Sequence, residues 1–385
     1  MTPFVFNTTH CILFRFGAAK EIARHAGVLL GPKVLVVTDP GLRRAGLADP
    51  AVGALAAAGH EVTVFDQIEA DPSVATVIAT VDAGRGAGVT GVIGFGGGSS
   101  LDVAKVASLL LGTDQTLDEA WGIGNARGPR LPLVLVPTTA GTGSEVTPVA
   151  ILTVGGAEKR GISSAILLPD IALLDAELTL SLPASITAAT GVDAMVHAIE
   201  AYASANANNN PLSRLLAREA LRLLGANIET AVMDGTNGPA REAMLLGAML
   251  AGQAFANSPV AAVHALAYPL GGLFHIPHGL SNALVLTSVL RFNLPLAAAT
   301  YAEIAADAFP HLAEVPDEAR ALAFVAALEA LIGRLQMPRR LRDLNIPADA
   351  LPRMAADAMK QQRLLVNNPR PVTEADALAI YTEAW

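Results

Sequence analysis

A single cysteine, Cys11, stands in 385 residues, so no disulfide can form within the chain. It lies in a strand-like context, CILFRF, and reads as a small packing side chain rather than a nucleophile. Charged residues make up only 16% of the sequence and the net charge is −9, with no run of Lys and Arg like those on nucleic-acid-binding surfaces. DNA or RNA is therefore not an expected partner. The N-terminus, MTPFVFNTTH, lacks the basic-then-apolar order of a signal peptide. No uninterrupted apolar run approaches the roughly 20 residues that cross a bilayer. These absences lead to the expectation of a soluble, cytoplasmic protein with no membrane partner.

Hydrophobic residues are abundant, at 52%, and many are alanine, which favours extensive burial and helix. The length exceeds what one hydrophobic core usually organises, so two domains are expected. In the first half, short apolar runs alternate with helical spacing. Residues 33–39 (KVLVVTD), 61–65 (EVTVF), 91–95 (GVIGF), 131–136 (LPLVLV) and 165–175 read as extended, and residues 74–87 and 100–111 as helices. That alternation predicts a parallel sheet flanked by helices. From about residue 183 the period changes. Helices are expected over 183–205, 211–234, 239–257, 279–291, 296–308, 316–335 and 373–385, several with proline in the first turn. The prediction is an α/β N-terminal nucleotide-binding domain over residues 1–180 and an all-α C-terminal domain over 181–385, with a site in the cleft between them.

Gly96-Gly97-Gly98-Ser99-Ser100 follows one apolar strand and opens a helix. Glycines let backbone approach a phosphate, and helix N-terminal N–H groups favour an anion. The spacing is not GxGxxG, and a purely structural turn is the alternative. Asp102 either favours the first helical turn or serves the site, and Lys105 is either a surface residue or reaches back toward phosphate. Thr138, Thr139 and Thr142, in the stretch PTTAGTGSE after the next strand, suit either nucleotide contacts or loop capping. Asp39 ends a strand before Pro40 and Gly41 and is either a turn residue or an acceptor for an adenosine ribose. In the latter role it would repel a 2′-phosphate and favour NAD over NADP.

Three of the eight histidines, His264, His275 and His278, fall in one apolar stretch. Asp193 and His197 are four apart, hence on one helical face. His264 is expected late on a helix that Pro269, Gly271 and Gly272 break, with His278 at the start of the next. One carboxylate and three imidazoles suit Fe²⁺ or Zn²⁺ far better than Mg²⁺ or Ca²⁺.

The segments GFGGGSSLDVAK, PTTAGTGSEVT, LLPDIALLDAELTLSLP, GVDAMVHAIEAY and HALAYPLGGLFHIPHG, in this order, resemble the iron-containing (group III) alcohol dehydrogenase family. The resemblance covers most of the chain and implies a dehydroquinate synthase-like fold. It also implies NAD(P)-dependent transfer of hydride between an alcohol and its aldehyde or ketone, and a homodimer or larger even assembly. Carried over by motif, Asp193, His197, His264 and His278 are the ligands of Fe²⁺, with Zn²⁺ the alternative. Gly96, Gly97, Gly98, Ser99 and Asp102 belong to the pyrophosphate loop, and Thr138, Thr139 and Thr142 line the nucleotide. Asp39 sits by the ribose, and Lys159 aligns with a cofactor-contacting lysine. Where members of the family often carry a histidine that relays the alcohol proton, this chain has Tyr268. Either the Tyr268 hydroxyl or His275 takes over the relay, or Tyr268 is a pocket wall. Phe255, Val260, Leu273 and Phe274 are expected to line an apolar substrate pocket. The absence of Arg and Lys from residues 264–286 argues against an anionic substrate. Maleylacetate reductase-like or hydroxyacid–oxoacid transhydrogenase chemistry on the same fold is the alternative activity, and a non-catalytic nucleotide or metal sensor the alternative class.

Overall fold

The computed structural model describes residues 3–155 and 158–385. They fall into two compact units, one spanning Asn7–Ser181 and the other Leu182–Trp385 together with residues 3–6. The first few residues thus belong with the helical unit rather than with the sheet. Val5 explains this: its N–H donates to Asn208 Oδ1 at 2.8 Å and its carbonyl accepts from Asn208 Nδ2 at 2.8 Å.

The strands of the first unit are β1 (Cys11–Phe14), β2 (Lys33–Val37), β3 (Glu61–Phe65), β4 (Gly91–Gly96), β5 (Gly122–Ile123), β6 (Leu133–Pro137), β7 (Val149–Val154), β8 (Glu158–Ser163) and β9 (Ile171–Leu174). Six form a parallel sheet in the order β1-β9-β6-β4-β2-β3. Its helices are α1 (Ile22–Leu30), α2 (Pro40–Arg44), α3 (Asp49–Ala57), α4 (Val74–Ala87), α5 (Gly98–Gly112) and α6 (Leu117–Ala120). Residues alternate between two cores, one on each face. Leu35 and Val37 pack with Leu101 and Leu109 of α5, while Val34 and Val36 pack with Ile22 and Leu30 of α1. Burial on both faces is why β4 and β6 read as unbroken apolar runs. A second small sheet, β5-β8-β7, was not expected. β8 reads EKRGIS and is largely half-exposed, so it has no apolar pattern to announce it. The predicted extended run 165–175 holds a short turn at Ala165–Leu167 before β9.

The second unit comprises α7 (Ala184–Ala203), α8 (Pro211–Met233), α9 (Gly238–Asn257), α10 (Ala262–Phe274), α11 (His278–Ala308), α12 (Asp317–Arg334), α13 (Leu351–Ala358), α14 (Gln362–Leu365) and α15 (Glu374–Ala384). Two expectations are corrected here. His264 is early on α10, not late, and that helix runs through Pro269, Gly271 and Gly272. The predicted helices 279–291 and 296–308 are one helix of 31 residues with Pro295 inside it. A proline removes a single N–H donor from the ladder. Burial outweighs that loss, since α10 buries every residue from Ala262 to Leu270 except Tyr268, which is half-buried. By length and composition α11 could cross a membrane, yet half of its most apolar window is buried. It packs against α7, α8, α10, α12 and α15 and is a core helix of this unit.

Candidate active site

α7 carries Asp193 and His197 one turn apart on its inward face, both buried. α10 supplies His264, 3% exposed. α10 ends at His275, whose φ of 56° is the left-handed conformation of a helix C-cap. Pro277 then starts α11, and His278 is its first residue. Close packing holds these starts together. A Cβ on Gly279 would stand 2.4 Å from the Ala189 carbonyl oxygen and 3.3 Å from Asp193 Cβ, so only glycine lets α11 approach α7 here.

One ligand-type atom from each of Asp193, His197, His264 and His278 lies within 4.8 Å of the others. Asp193 Oδ1 is 3.8 Å from His264 Nε2 and 3.8 Å from His278 Nε2. Two ligands bonded to one ion at roughly 2.1 Å stand at most about 4.2 Å apart, so a single ion reaches both pairs. The His197 and His264 rings stack with centroids 4.7 Å apart, and the His278 ring is tilted by 51° against His264 at 5.4 Å. Burial pushes the Asp193 carboxyl up, but His197, His278, His264 and the Asn282 amide outweigh it and hold it below the usual carboxylate range. The side chain that reaches into the cluster is a hydrogen-bond donor. Asn282 Nδ2 lies 2.6 Å from Asp193 Oδ1, 3.2 Å from His264 Nε2 and 3.3 Å from His278 Nε2. A ring of lone-pair donors converging on one electron acceptor fits a divalent Fe²⁺ or Zn²⁺ ion. His278 is 40% exposed while Asp193 and His264 are sealed, so the cluster opens on the His278 side.

Around this cluster, Phe255 stacks on His197 at 4.4 Å between centroids, and Val260 is buried. Leu273 and Phe274 are half-buried near the end of α10. Tyr268 lies 6.0 Å from the His278 ring, and its hydroxyl accepts from Arg363 Nη2 at 3.3 Å. His275 is exposed and is not among the four converging side chains. Sequence reasoning did not single out Glu200, Asn282 or Arg363. Two of them carried a readable signal. Glu200 is three residues after His197 and Asn282 four after His278, hence on the ligands' own helical faces.

In the first unit, the two loops after β4 and β6 meet. Gly96 has φ of 155°, a conformation that favours glycine, and a Cβ there would strike Ser100 Oγ at 2.7 Å. A Cβ on Gly98 would lie 3.0 Å from Thr142 Cγ2, and one on Gly97 3.7 Å from Thr139 Cγ2. Thr138 N–H donates to the Gly96 carbonyl at 3.0 Å. Gly97 caps α5 without a side chain, leaving the N–H groups of the first turn, Ser99 included, to an external acceptor. Backbone this closely cradled at a helix N-terminus fits a pyrophosphate.

Other expected nucleotide residues have partners within the protein. Asp39 is the N-cap of α2: its Oδ1 accepts from Gly41 N at 2.8 Å and Leu42 N at 3.0 Å. A cavity of 480 Å³ opens beside it, lined by Pro40, Arg43, Arg44, Asp66 and Gln67 among others. Asp102 is turned inward, accepting from Ser144 Oγ at 2.6 Å and Ile151 N at 2.9 Å. Lys105 is neither on the surface nor aimed at the phosphate loop. It is fully buried and donates to Ser144 Oγ, Thr147 Oγ1 and the Val149 carbonyl. Burial depresses Lys105 and pushes the neighbouring Glu145 carboxyl up to about 7, against the pull of its own backbone N–H and of Lys105. Lys159 pairs with Asp71 at 2.6 Å and donates to Thr153 Oγ1.

Comparison with known proteins agrees with this geometry. Residues 9–176 match the family described as iron-containing alcohol dehydrogenase, and residues 187–385 the C-terminal part of the Fe-containing alcohol dehydrogenase family. The chain is 38% identical over 373 residues to long-chain-alcohol dehydrogenase 1 of Geobacillus thermodenitrificans, covering 96% of this chain and 94% of that one. The crystal structure of a 1,3-propanediol oxidoreductase superimposes with a TM-score of 0.95 at 35% identity over the whole of both chains. A sulfoacetaldehyde reductase from Bifidobacterium kashiwanohense, in complex with NAD⁺, superimposes with a TM-score of 0.89 at 30% identity over 100% of this chain and 99% of that one. Both halves match in order and at full length, and the chain belongs to the iron-containing alcohol dehydrogenase family, whose members interconvert alcohols and aldehydes with NAD and Fe²⁺.

Proposed function

We propose that Asp193, His197, His264 and His278 hold the catalytic ion, and that residues 7–181 bind the dinucleotide while residues 182–385 bind the metal and the alcohol. The observation that carries this reading is the convergence of four ligand atoms within 4.8 Å. A divalent ion bound there supplies a Lewis acid that polarises the substrate oxygen and lowers the pKa of an alcohol, as it does for bound water. His264 and His278 present Nε2 to it, and the exposed side of His278 leaves room for substrate. Phe255 and Val260 exclude water around the reacting carbon. Tyr268 receives the alcohol proton through its hydroxyl. Because Arg363 already donates to that oxygen, the hydroxyl hydrogen is free to pass outward. The exposed His275 is a second acceptor on the same route. Gly96, Gly97, Gly98 and Ser99 bind pyrophosphate, Thr138, Thr139 and Thr142 the adjoining sugar, and Asp39 the ribose, which favours NAD over NADP. Asp102 shapes this site by fixing the Ser144 loop rather than by touching cofactor. Lys159, paired with Asp71 at 2.6 Å, is the cofactor-contacting lysine. The enzyme works as a soluble cytoplasmic homodimer or larger even assembly.

The test is metal analysis of enzyme purified without oxygen, followed by NADH absorbance across a panel of alcohols and aldehydes. Bound iron or zinc and chelator-sensitive turnover are expected. Activity indifferent to chelator would favour maleylacetate reductase-like chemistry, and turnover without added NAD a transhydrogenase.

A second reading concerns substrate charge. Arg363 is exposed and lies 5.9 Å over the Tyr268 ring, which brings a cation to the His278 side that the 264–286 segment itself lacks. A planar guanidinium favours a sulfonate or carboxylate. An aldehyde with such a terminus should then surpass its neutral analogue in kcat/KM, and Arg363→Met should reverse the preference. Equal kcat/KM for the charged and neutral aldehydes would reject this reading.

A further inference from the structure

We infer that Glu200 is a positioning residue of the metal centre, fixing the tautomer and orientation of His264; the inference rests on the metal-binding reading above. α7 carries Asp193, His197 and Glu200 at i, i+4 and i+7, one continuous stripe. The first two point their donor atoms into the cluster, and the third stands behind it. Glu200 is 5% exposed, and its two oxygens serve two adjacent donors. Oε1 accepts from Val263 N at 2.7 Å, and Oε2 lies 2.6 Å from His264 Nδ1.

A carboxylate has acceptors only, so the 2.6 Å contact requires the hydrogen of His264 on Nδ1. That leaves the Nε2 lone pair free, and Nε2 is the atom turned toward Asp193 and His278. An independent contact agrees: Asn282 Nδ2, a donor, approaches the same Nε2 at 3.2 Å. The ring is thus held from behind by a charge-assisted bond and presents its lone pair in front. Holding the ring this way orients a metal ligand and raises its basicity. Glu200 also brings a second buried negative charge, so with Asp193 it matches the two positive charges of the ion. Val263 N–H ties the same carboxylate to the first turn of α10, so His264 and the helix that carries it are fixed by one group.

Replacing Glu200 with glutamine keeps the shape but leaves one oxygen for two N–H donors. If that oxygen stays with Val263, an NH₂ faces His264 Nδ1 and drives the ring hydrogen to Nε2, the metal-facing atom. Glu200→Gln is therefore expected to weaken Zn²⁺ or Co²⁺ affinity by about 10–100-fold, measured by competition with a chromophoric chelator. The visible spectrum of the Co²⁺ form should shift as well, and Glu200→Asp, which keeps two acceptor oxygens, should recover part of the lost affinity. A merely structural residue would lower the melting temperature of the metal-free protein and leave metal affinity and the Co²⁺ spectrum as they were; that result overturns the inference. A second measurement does not depend on any Glu200 variant folding. Proton–nitrogen correlation of ¹⁵N-histidine in the metal-free wild type, assigned with His264→Gln, should show His264 protonated at Nδ1. A hydrogen on Nε2 refutes the assignment. A wild type that binds no ion sinks the metal-centre reading itself, whereas equal binding by wild type and Glu200→Gln sinks only the role given to Glu200.

Discussion

Asp39 combines two properties that a single substitution can separate. Its Oδ1 caps α2 by accepting from Gly41 and Leu42, and its charge would face a ribose. Asparagine retains the cap, since its Oδ1 accepts the same bonds, and removes the charge. Asp39→Asn is expected to raise the kcat/KM ratio for NADP⁺ over NAD⁺ by about tenfold, the effect of roughly 1.4 kcal/mol of relieved repulsion, without lowering the melting temperature. An unchanged ratio would show that the cap is the residue's whole role. Glu145 offers a test in pH. Its folded-state carboxyl lies near 7, above its unfolded value of 4.5, so the folded protein binds the extra proton between those values. Its contribution to stability is complete below the unfolded pKa and is lost as pH rises through about 7. Glu145→Gln should therefore stabilise the protein by about 3 kcal/mol at about pH 8 and have little effect near pH 4.5, read by urea unfolding at each pH. A gain independent of pH would mean that Glu145 is not a buried, titrating acid. At this scale the sequence disclosed the residues whose spacing is itself chemical, such as Asp193 with His197. Glu200 and Asn282 stayed unseen because an acid or amide on an apolar helix acquires meaning only from what lies opposite. Lys105 was misread for the same reason, since its hydroxyl partners lie about 40 residues further along the chain.

The start of α11 shows how an element sets a site. His278 is delivered by the first residue of that helix, and Gly279 permits the backbone to lie against α7 at Ala189. Alanine at 279 would force the helices apart, because the obstructing atom is a backbone carbonyl rather than a flexible side chain. Gly279→Ala is expected to destabilise the protein by about 1–3 kcal/mol. Its second effect should be weaker metal affinity, because His278 and Asp193 are separated by the same displacement. Parallel loss in chelator competition and in urea unfolding is the expected pattern, and full metal affinity in a destabilised variant would show that the cluster tolerates the shift. Gly279 was legible as the start of a helix but not as a contact. Prolines misled in the other direction. Pro269 read as a helix break, and separate helices were expected on either side of Pro295, yet each proline removes only one donor from a helix that burial holds in place. The strands β2, β4 and β6 were visible because burial on both sides demands apolar runs. The β7–β8 pair was not, because its residues alternate with solvent and include Glu158, Lys159 and Arg160.

For the whole molecule, the ligands divide along the chain. All four metal-site side chains belong to residues 182–385, and every proposed nucleotide contact belongs to residues 7–181. Binding stabilises whatever structure it requires, by about 4 kcal/mol when the free ligand exceeds its dissociation constant a thousandfold. That energy should appear first in the segments that hold each ligand, because amide exchange reports local opening. Adding Zn²⁺ to metal-free enzyme is therefore expected to slow exchange in α7, α10 and the first turns of α11, with the largest change around residues 193–200 and 262–268. Adding NAD⁺ alone should slow residues 96–105 and 137–147 instead. Mass-spectrometric hydrogen exchange on the apo, metal, NAD⁺ and doubly bound forms distinguishes these patterns. The two unit assignments fail if Zn²⁺ protects the glycine loop as strongly as α7, or if NAD⁺ protects α10 while leaving residues 96–105 unchanged. If each ligand protects its own set and the doubly bound form protects more than their sum, the excess measures the coupling between metal and cofactor. That coupling must be reciprocal, so NAD⁺ should then tighten Zn²⁺ by the same factor that Zn²⁺ tightens NAD⁺.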